Sequence, residues 1–131
     1  MKKMFLLISM AAAFATASAI TPLWLRDAQI SPDGKNIAFC YRGDIYTVAT
    51  TGGEARRITA TSDYEANPIW SPDSKQIAYA SDKHGNFDIF IVPATGGIPL
   101  RLTTYSAAET PEAFSTDGKY VIYSASIQDP A

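Results

Sequence analysis

Ser31-Pro32-Asp33-Gly34-Lys35 returns 40 residues on as Ser71-Pro72-Asp73-Ser74-Lys75, and after 44 more as Ser115-Thr116-Asp117-Gly118-Lys119. Self-similarity at a period of about 40 residues marks a chain built from stacked, equivalent units. The rest of the unit keeps register with these pentads. Asp44-Ile45-Tyr46 matches Asp88-Ile89-Phe90, and Thr51-Gly52-Gly53 matches Thr95-Gly96-Gly97. Arg57-Ile58-Thr59 matches Arg101-Leu102-Thr103, Glu65 matches Glu109, and Trp70 matches Phe114. The four extra residues of the longer unit fall in Ser81–Asn86, between two apolar runs.

Each unit offers four short runs that suit strands. In the first full unit they lie near Asn36–Tyr41, Asp44–Ala49, Ala55–Thr59 and Ala66–Trp70. These runs are rich in Ile, Val, Thr, Tyr, Phe and Trp, and turn formers separate them. Ser-Pro-Asp-Gly suits a type I turn, because Pro presets φ at its second position and Gly closes it. Arg42-Gly43 and Gly52-Gly53 mark further tight connections where positive φ is cheap. No sustained helical periodicity follows residue 20. Ile37-Ala38-Phe39-Cys40-Tyr41, Ile77-Ala78-Tyr79-Ala80 and Val121-Ile122-Tyr123-Ser124-Ala125 barely alternate in polarity, so both faces of these strands are expected to be buried. Four-stranded antiparallel units, packed face to face, predict an all-β fold: a β-propeller of which residues 20–131 hold about two and a half blades. Propellers close with about four to eight blades. The pattern stops in mid-unit at Asp129-Pro130-Ala131, so the reading expects the N-terminal part of a longer protein.

Residues 1–19 read as a secretory signal peptide. Lys2 and Lys3 precede the apolar run Met4–Ala15, and Ala17-Ser18-Ala19 supplies a small-x-small cleavage pattern with the cut after Ala19. Twelve apolar residues fall short of the roughly 20 that span a bilayer core, which argues against a membrane anchor after cleavage. The expected location is periplasmic or secreted. Loss of the two lysines shifts the formal net charge from −2 to −4, a poor basis for holding nucleic acid through a basic surface.

The five repeated elements resemble the WD40-like PD40 repeat. Such repeats occur in periplasmic TolB-type proteins, tricorn-type proteases and some prolyl-oligopeptidase-type peptidases. The repeat begins almost directly after the signal, with Leu23-Trp24-Leu25-Arg26 leading into Ile30-Ser31-Pro32-Asp33-Gly34. That arrangement is similar to exported tricorn protease homologues. The resemblance implies a noncatalytic propeller segment that gates or binds peptide substrates, the serine peptidase machinery lying beyond residue 131. The alternatives are a TolB-like scaffold that docks envelope proteins, and the propeller of a prolyl-oligopeptidase-type enzyme. Peptides or envelope proteins, the remaining blades and further copies of the chain are the expected partners.

No catalytic, cofactor or metal residue is assigned. Cys40 and His84 are the lone Cys and His, which excludes an internal disulfide and a Cys-based zinc site. Cys40 reads as a small core side chain, and His84 as a solvated residue of the inserted loop. Asp33, Asp73 and Asp117 read as turn carboxylates, because the close-spaced oxygen ligands of a calcium loop are missing. Asp44 with Asp88, and Glu65 with Glu109, could suggest a glycosidase pair. Repeat-specific caps and hydrogen bonds are the simpler account. Arg56, Arg57 and Arg101 read as structural or surface cations. Trp70, in register with Phe114, reads as a packing residue, and Trp24 is the other tryptophan that could stack on a ligand.

Overall fold

The computed structural model describes residues 24–126. The signal-peptide reading of residues 1–19 and the terminal Asp129-Pro130-Ala131 lie outside them. The described residues hold ten strands and no helix. They are β1 (Leu25–Ile30), β2 (Asn36–Tyr41), β3 (Asp44–Ala49), β4 (Arg56–Arg57), β5 (Glu65–Trp70), β6 (Gln76–Ser81), β7 (Asp88–Pro93), β8 (Leu100–Arg101), β9 (Glu109–Phe114) and β10 (Val121–Ala125). They form sheets β1-β2-β3-β4 and β5-β6-β7-β8 and a two-stranded β9-β10, all antiparallel. This is the all-β, partial propeller that the repeat predicts.

The phase of the repeat differs from the sequence reading. Ala66–Trp70 does not close the first unit; with Glu65 it opens the second sheet as β5. The strand that opens the first sheet is β1, in a stretch not read as a strand. The Ser-Pro-Asp-Gly turn therefore sits between the first and second strands of each blade, not before the first. Its chemistry explains why it recurs. Gly34 N–H donates to Ser31 O at 2.8 Å to close the turn. The Asp33 carboxylate accepts from Ser31 Oγ at 2.6 Å and Lys35 N–H at 3.0 Å. Asp73 and Asp117 repeat this arrangement. The fourth position lies at φ 72° in Gly34 and 71° in Gly118, and Ser74 adopts φ 61° there.

Strand register decides what packs between sheets. Phe39 faces Tyr46 and Ile37 faces Val48 on one side of the first sheet. Ala38, Cys40 and Ile45 lie on the other. That small-residue side meets Ile77, Tyr79, Phe90 and Val92 of the second sheet in a single buried cluster, which Trp70 joins. Small against large is how neighbouring sheets interdigitate without voids. Burial of side chains such as Ile77 stabilises the fold by about 1.5–3 kcal/mol each. The packing role expected for Trp70 is accompanied by a polar one, since its indole N–H donates to Gln29 O across the sheets at 3.0 Å.

β6 is buried along nearly its whole length, as expected of a strand covered on both faces, by the first sheet and β9; β2 is partly to fully buried, with the second sheet on one of its faces. β10 is not: Ile122 is 56% and Tyr123 46% exposed. Among the described residues no third strand pairs with β10 and no sheet lies on its far face.

Candidate binding groove and blade junctions

The opening strands β1, β5 and β9 of the three sheets pack side by side, β1 on β5 and β5 on β9. Each position is fixed by the repeat, because each opening strand lies just before its turn pentad. Along these strands runs a groove of about 230 Å³ lined by Asp27, Gln29, Asn67, Pro68, Ile69, Thr110, Pro111 and Glu112. Its two ionisable groups are both carboxylates. Two of its residues hold unusual backbone geometry. Asp27 lies at φ 54° and Asn67 at φ 53°, one repeat apart. Each sits where a bulge interrupts pairing, between Arg26 and Gln29 in β1 and between Ala66 and Ile69 in β5. Asp and Asn enter the left-handed region at lower cost than other L-residues, and bulges re-aim neighbouring side chains. The third equivalent, Pro111, has its φ fixed by the ring, so the left-handed bulge stops at two sheets.

The bulge also ties two blades together. Asn67 N–H donates to Asp27 Oδ2 at 3.3 Å. Cys40 lies behind it, 3% exposed. Burial, followed by the Asp27 charge, pushes its thiol up to about 12. A thiol held neutral in this way is a poor nucleophile at neutral pH, which agrees with the core reading of Cys40.

The repeated Asp, Arg, Thr and Glu converge at the blade junction. Arg57 Nη2 lies 2.7 Å from Asp44 Oδ2, and its Nε–H donates to Thr59 O at 2.9 Å. Thr59 Oγ1 accepts from Ile45 N–H at 2.9 Å and donates to the Glu65 carboxylate. Thr61 donates to the other Glu65 oxygen at 2.9 Å. Glu65, the first residue of the second sheet, is thus held by two threonines that follow the first. Its carboxyl is raised above the usual range, chiefly by burial, with the two threonine bonds opposing.

The second junction repeats only part of this. Arg101 Nη2 lies 2.7 Å from Asp88 Oδ2 in an ion pair, while the buried Asp88 Oδ1 has no hydrogen-bond partner. Glu109 is 1% exposed with Oε2 unpaired, and the position of Thr61 is filled by Tyr105. A size exchange accompanies this. A Cβ on Gly43 (φ 87°) would sit 3.4 Å from the Tyr64 ring, whereas the equivalent positions hold Phe87 and Ala108.

The carboxylates considered as a glycosidase pair are therefore engaged at junctions between sheets. The turn aspartates bond within their own turns. His84 is exposed in the inserted β6–β7 loop, its ring stacked 6.2 Å from Phe90. Trp24 is exposed, and Arg56 lines a separate open groove of about 320 Å³ with Glu54 and Asn36. Among the described residues no three His, Cys, Asp or Glu side chains cluster as metal ligands would. Asp27, Gln29, Asn67, Thr110 and Glu112 were not singled out by sequence. The available signal was the Asp27/Asn67 pair at one repeat position, both residue types that tolerate left-handed backbone.

Residues 22–131 match the model of the tricorn protease N-terminal β-propeller domain. The uncharacterised peptidase YuxL of Bacillus subtilis (strain 168) is 41% identical over 56 residues, which are 39% of this chain and 8% of that protein. A TolB-designated protein from Agrobacterium tumefaciens superposes with a TM-score of 0.71 at 26% identity, over 79% of this chain and 38% of that one. TolB from Acinetobacter baumannii gives 0.61 at 26% identity, over 79% and 29% of the two chains. The tricorn protease structure gives 0.63 at 21% identity, over 77% and 11%, and shows the shared fold. The chain spans well under half the length of each of these proteins.

Proposed function

Since the chain belongs to the tricorn protease N-terminal β-propeller domain family, we propose that it is a noncatalytic propeller segment of an exported, tricorn-like serine peptidase. Its role is to bind peptides along the groove between the opening strands and so filter what reaches the peptidase machinery. The observation that carries this reading is the groove itself. Asp27 and Glu112 supply negative charge, and Gln29, Asn67 and Thr110 supply groups that can bond to a peptide backbone. Irregularities of pairing in all three sheets fix its shape, the third at Glu112. With no cation among the lining residues, it favours extended peptides carrying Lys, Arg or a free amino terminus. The match to a peptidase over 56 residues supports the peptide-handling part of the reading.

The test is binding of a fluorescent, lysine-containing peptide followed by anisotropy, with the Glu112→Lys chain beside it. Glu112 is exposed and bonds to Ser124 Oγ at 2.8 Å. Reversal of its charge is expected to weaken binding by about tenfold, equivalent to about 1.4 kcal/mol. Equal binding by both chains, or preference for an acidic peptide, would refute the reading. A second reading is a TolB-like scaffold for envelope proteins, favoured by the superposition on the two TolB structures. In that case folded protein partners bind the chain and short peptides do not.

A further inference from the structure

The second blade departs from the first at two places, and both border one cavity. A void of about 150 Å³ lies at the junction of the first two sheets, with Glu65, Tyr79, Lys83, Phe90, Ile98 and Pro99 in its lining. Lys83 belongs to the four-residue insertion between β6 and β7. Ile98-Pro99 stand where the first blade has Glu54-Ala55. The insertion rests on the wall of the same cavity, through the stack of His84 on Phe90. Ile98 is 92% exposed. The first blade forms the same strand ladder without either change, so pairing does not require them.

The walls are apolar and one of them carries a buried carboxylate. The rings of Tyr79 and Phe90 stack with centroids 5.9 Å apart and planes at 23°. Glu65 receives the bonds of Thr59 and Thr61, but no cation pairs with it: the two ion pairs among the described residues are Arg57 with Asp44 and Arg101 with Asp88. A buried carboxylate without a counter-charge is costly, so a ligand that brings one is favoured. Burial, followed by the Glu65 charge, raises the Tyr79 hydroxyl well above the ordinary phenol range, which keeps it neutral. Aromatic faces add attraction for a cation, and a void of about this volume takes a benzene-sized ring. We propose that this cavity binds a small organic ammonium ion, its N–H groups on Glu65 and its apolar body against Tyr79, Phe90 and Ile98. Lys83, exposed at the cavity, opposes the ligand as a like charge and moderates its affinity. A free amine and the amino terminus of a peptide that opens with an apolar residue both carry this chemistry. The site shares no residue with the groove along the opening strands.

The probe is benzylamine, titrated into the full chain and followed by the NMR shifts of the protein. It is expected to bind one to one and to move the signals of Tyr79, Lys83 and Phe90 rather than those of Gln29, Asn67 and Thr110. Benzyl alcohol, which has the same ring and no charge, should bind at least about tenfold more weakly. The Glu65→Gln chain should lose benzylamine affinity to the same degree, and Lys83→Gln should gain about threefold. The comparison of the two ligands leaves the protein untouched, so its result does not depend on the folding of an altered chain. Tighter binding of phenylalaninamide than of benzylamine assigns the occupant as a peptide amino terminus, and the reverse order assigns a free amine. Absence of benzylamine binding, equal affinity for benzyl alcohol, or full affinity in a folded Glu65→Gln chain would overturn the proposal. So would shifts confined to the groove residues, a result that leaves the peptide reading of the groove standing.

Discussion

Glu65 is the residue at which charge and packing oppose each other. It is 1% exposed, and burial raises its carboxyl despite bonds from Thr59 and Thr61. A carboxyl whose folded value lies above its unfolded value binds protons more readily in the native state. Its stabilising contribution is complete below the unfolded value and is lost as pH rises through the folded one. Glu65→Gln imitates the protonated form and removes this dependence. Thermal melts from about pH 4 to about pH 7 are therefore expected to show the variant gaining on the parent as pH rises. A constant offset would refute the assignment. Asp33, Asp73 and Asp117 act in the opposite sense, because bonds from Ser and from backbone N–H lower their carboxyls. Their contribution is present above the unfolded value and fades as pH falls through the folded one. The turn carboxylates were legible in sequence because donor and acceptor lie within five residues. The Thr59–Glu65 tie was not, although both residues recur. The spacing of six residues does not say that the first belongs to one sheet and the second opens the next.

At the scale of the strand, a residue's side matters more than its polarity. Ala38 is fully buried, on the side of the first sheet that receives Ile77, Tyr79, Phe90 and Val92. Ala38→Leu adds three carbons to a packed seam and is expected to cost about 1–3 kcal/mol, read as a lower denaturant midpoint with unchanged slope. The same change at an exposed strand position, such as Ala113, should fall within about 0.5 kcal/mol. The even, apolar runs announced that these strands are covered twice; β6 is, whereas β2 is covered by the second sheet on one face. The runs did not announce the phase of the blade. A repeat has no natural beginning in sequence, and the conspicuous pentad drew the boundary to the turn. The hydrogen-bonded ladder places the boundary before Leu25 and Glu65 instead. β1 itself, Leu-Arg-Asp-Ala-Gln-Ile, carries two charges and one amide in six residues. It is a strand because β2 pairs with it and β5 packs beside it, neither of which its own composition reveals.

For the molecule as a whole, the third sheet decides behaviour in solution. Tyr120, Ile122 and Tyr123 are 69%, 56% and 46% exposed beside a strand edge that is unpaired among the described residues. Such edges recruit other chains, and an inserted Lys blunts them. Ile122→Lys is expected to reduce concentration-dependent association of the chain, measured by light scattering, while circular dichroism stays unchanged. Persistent association would place the sticky surface elsewhere. The repeat architecture was legible because equivalent residues return at equal intervals. The groove was not, because its walls come from three units and its bulges arise from backbone geometry. The exchange of Gly43 and Tyr64 for Phe87 and Ala108 has a further consequence for how the modules find their neighbours. Near-identical segments invite a slip by one unit during folding, with β5 settling in the berth of β9. Such a slip would put Ala108 in place of Tyr64 beside Gly43 and leave a void there, and it would disturb the edge-to-face contact that Tyr64 makes with Phe87 at 6.2 Å. Unequal bulk on the two seams thus works like a ward in a lock, favouring the modules in their proper order.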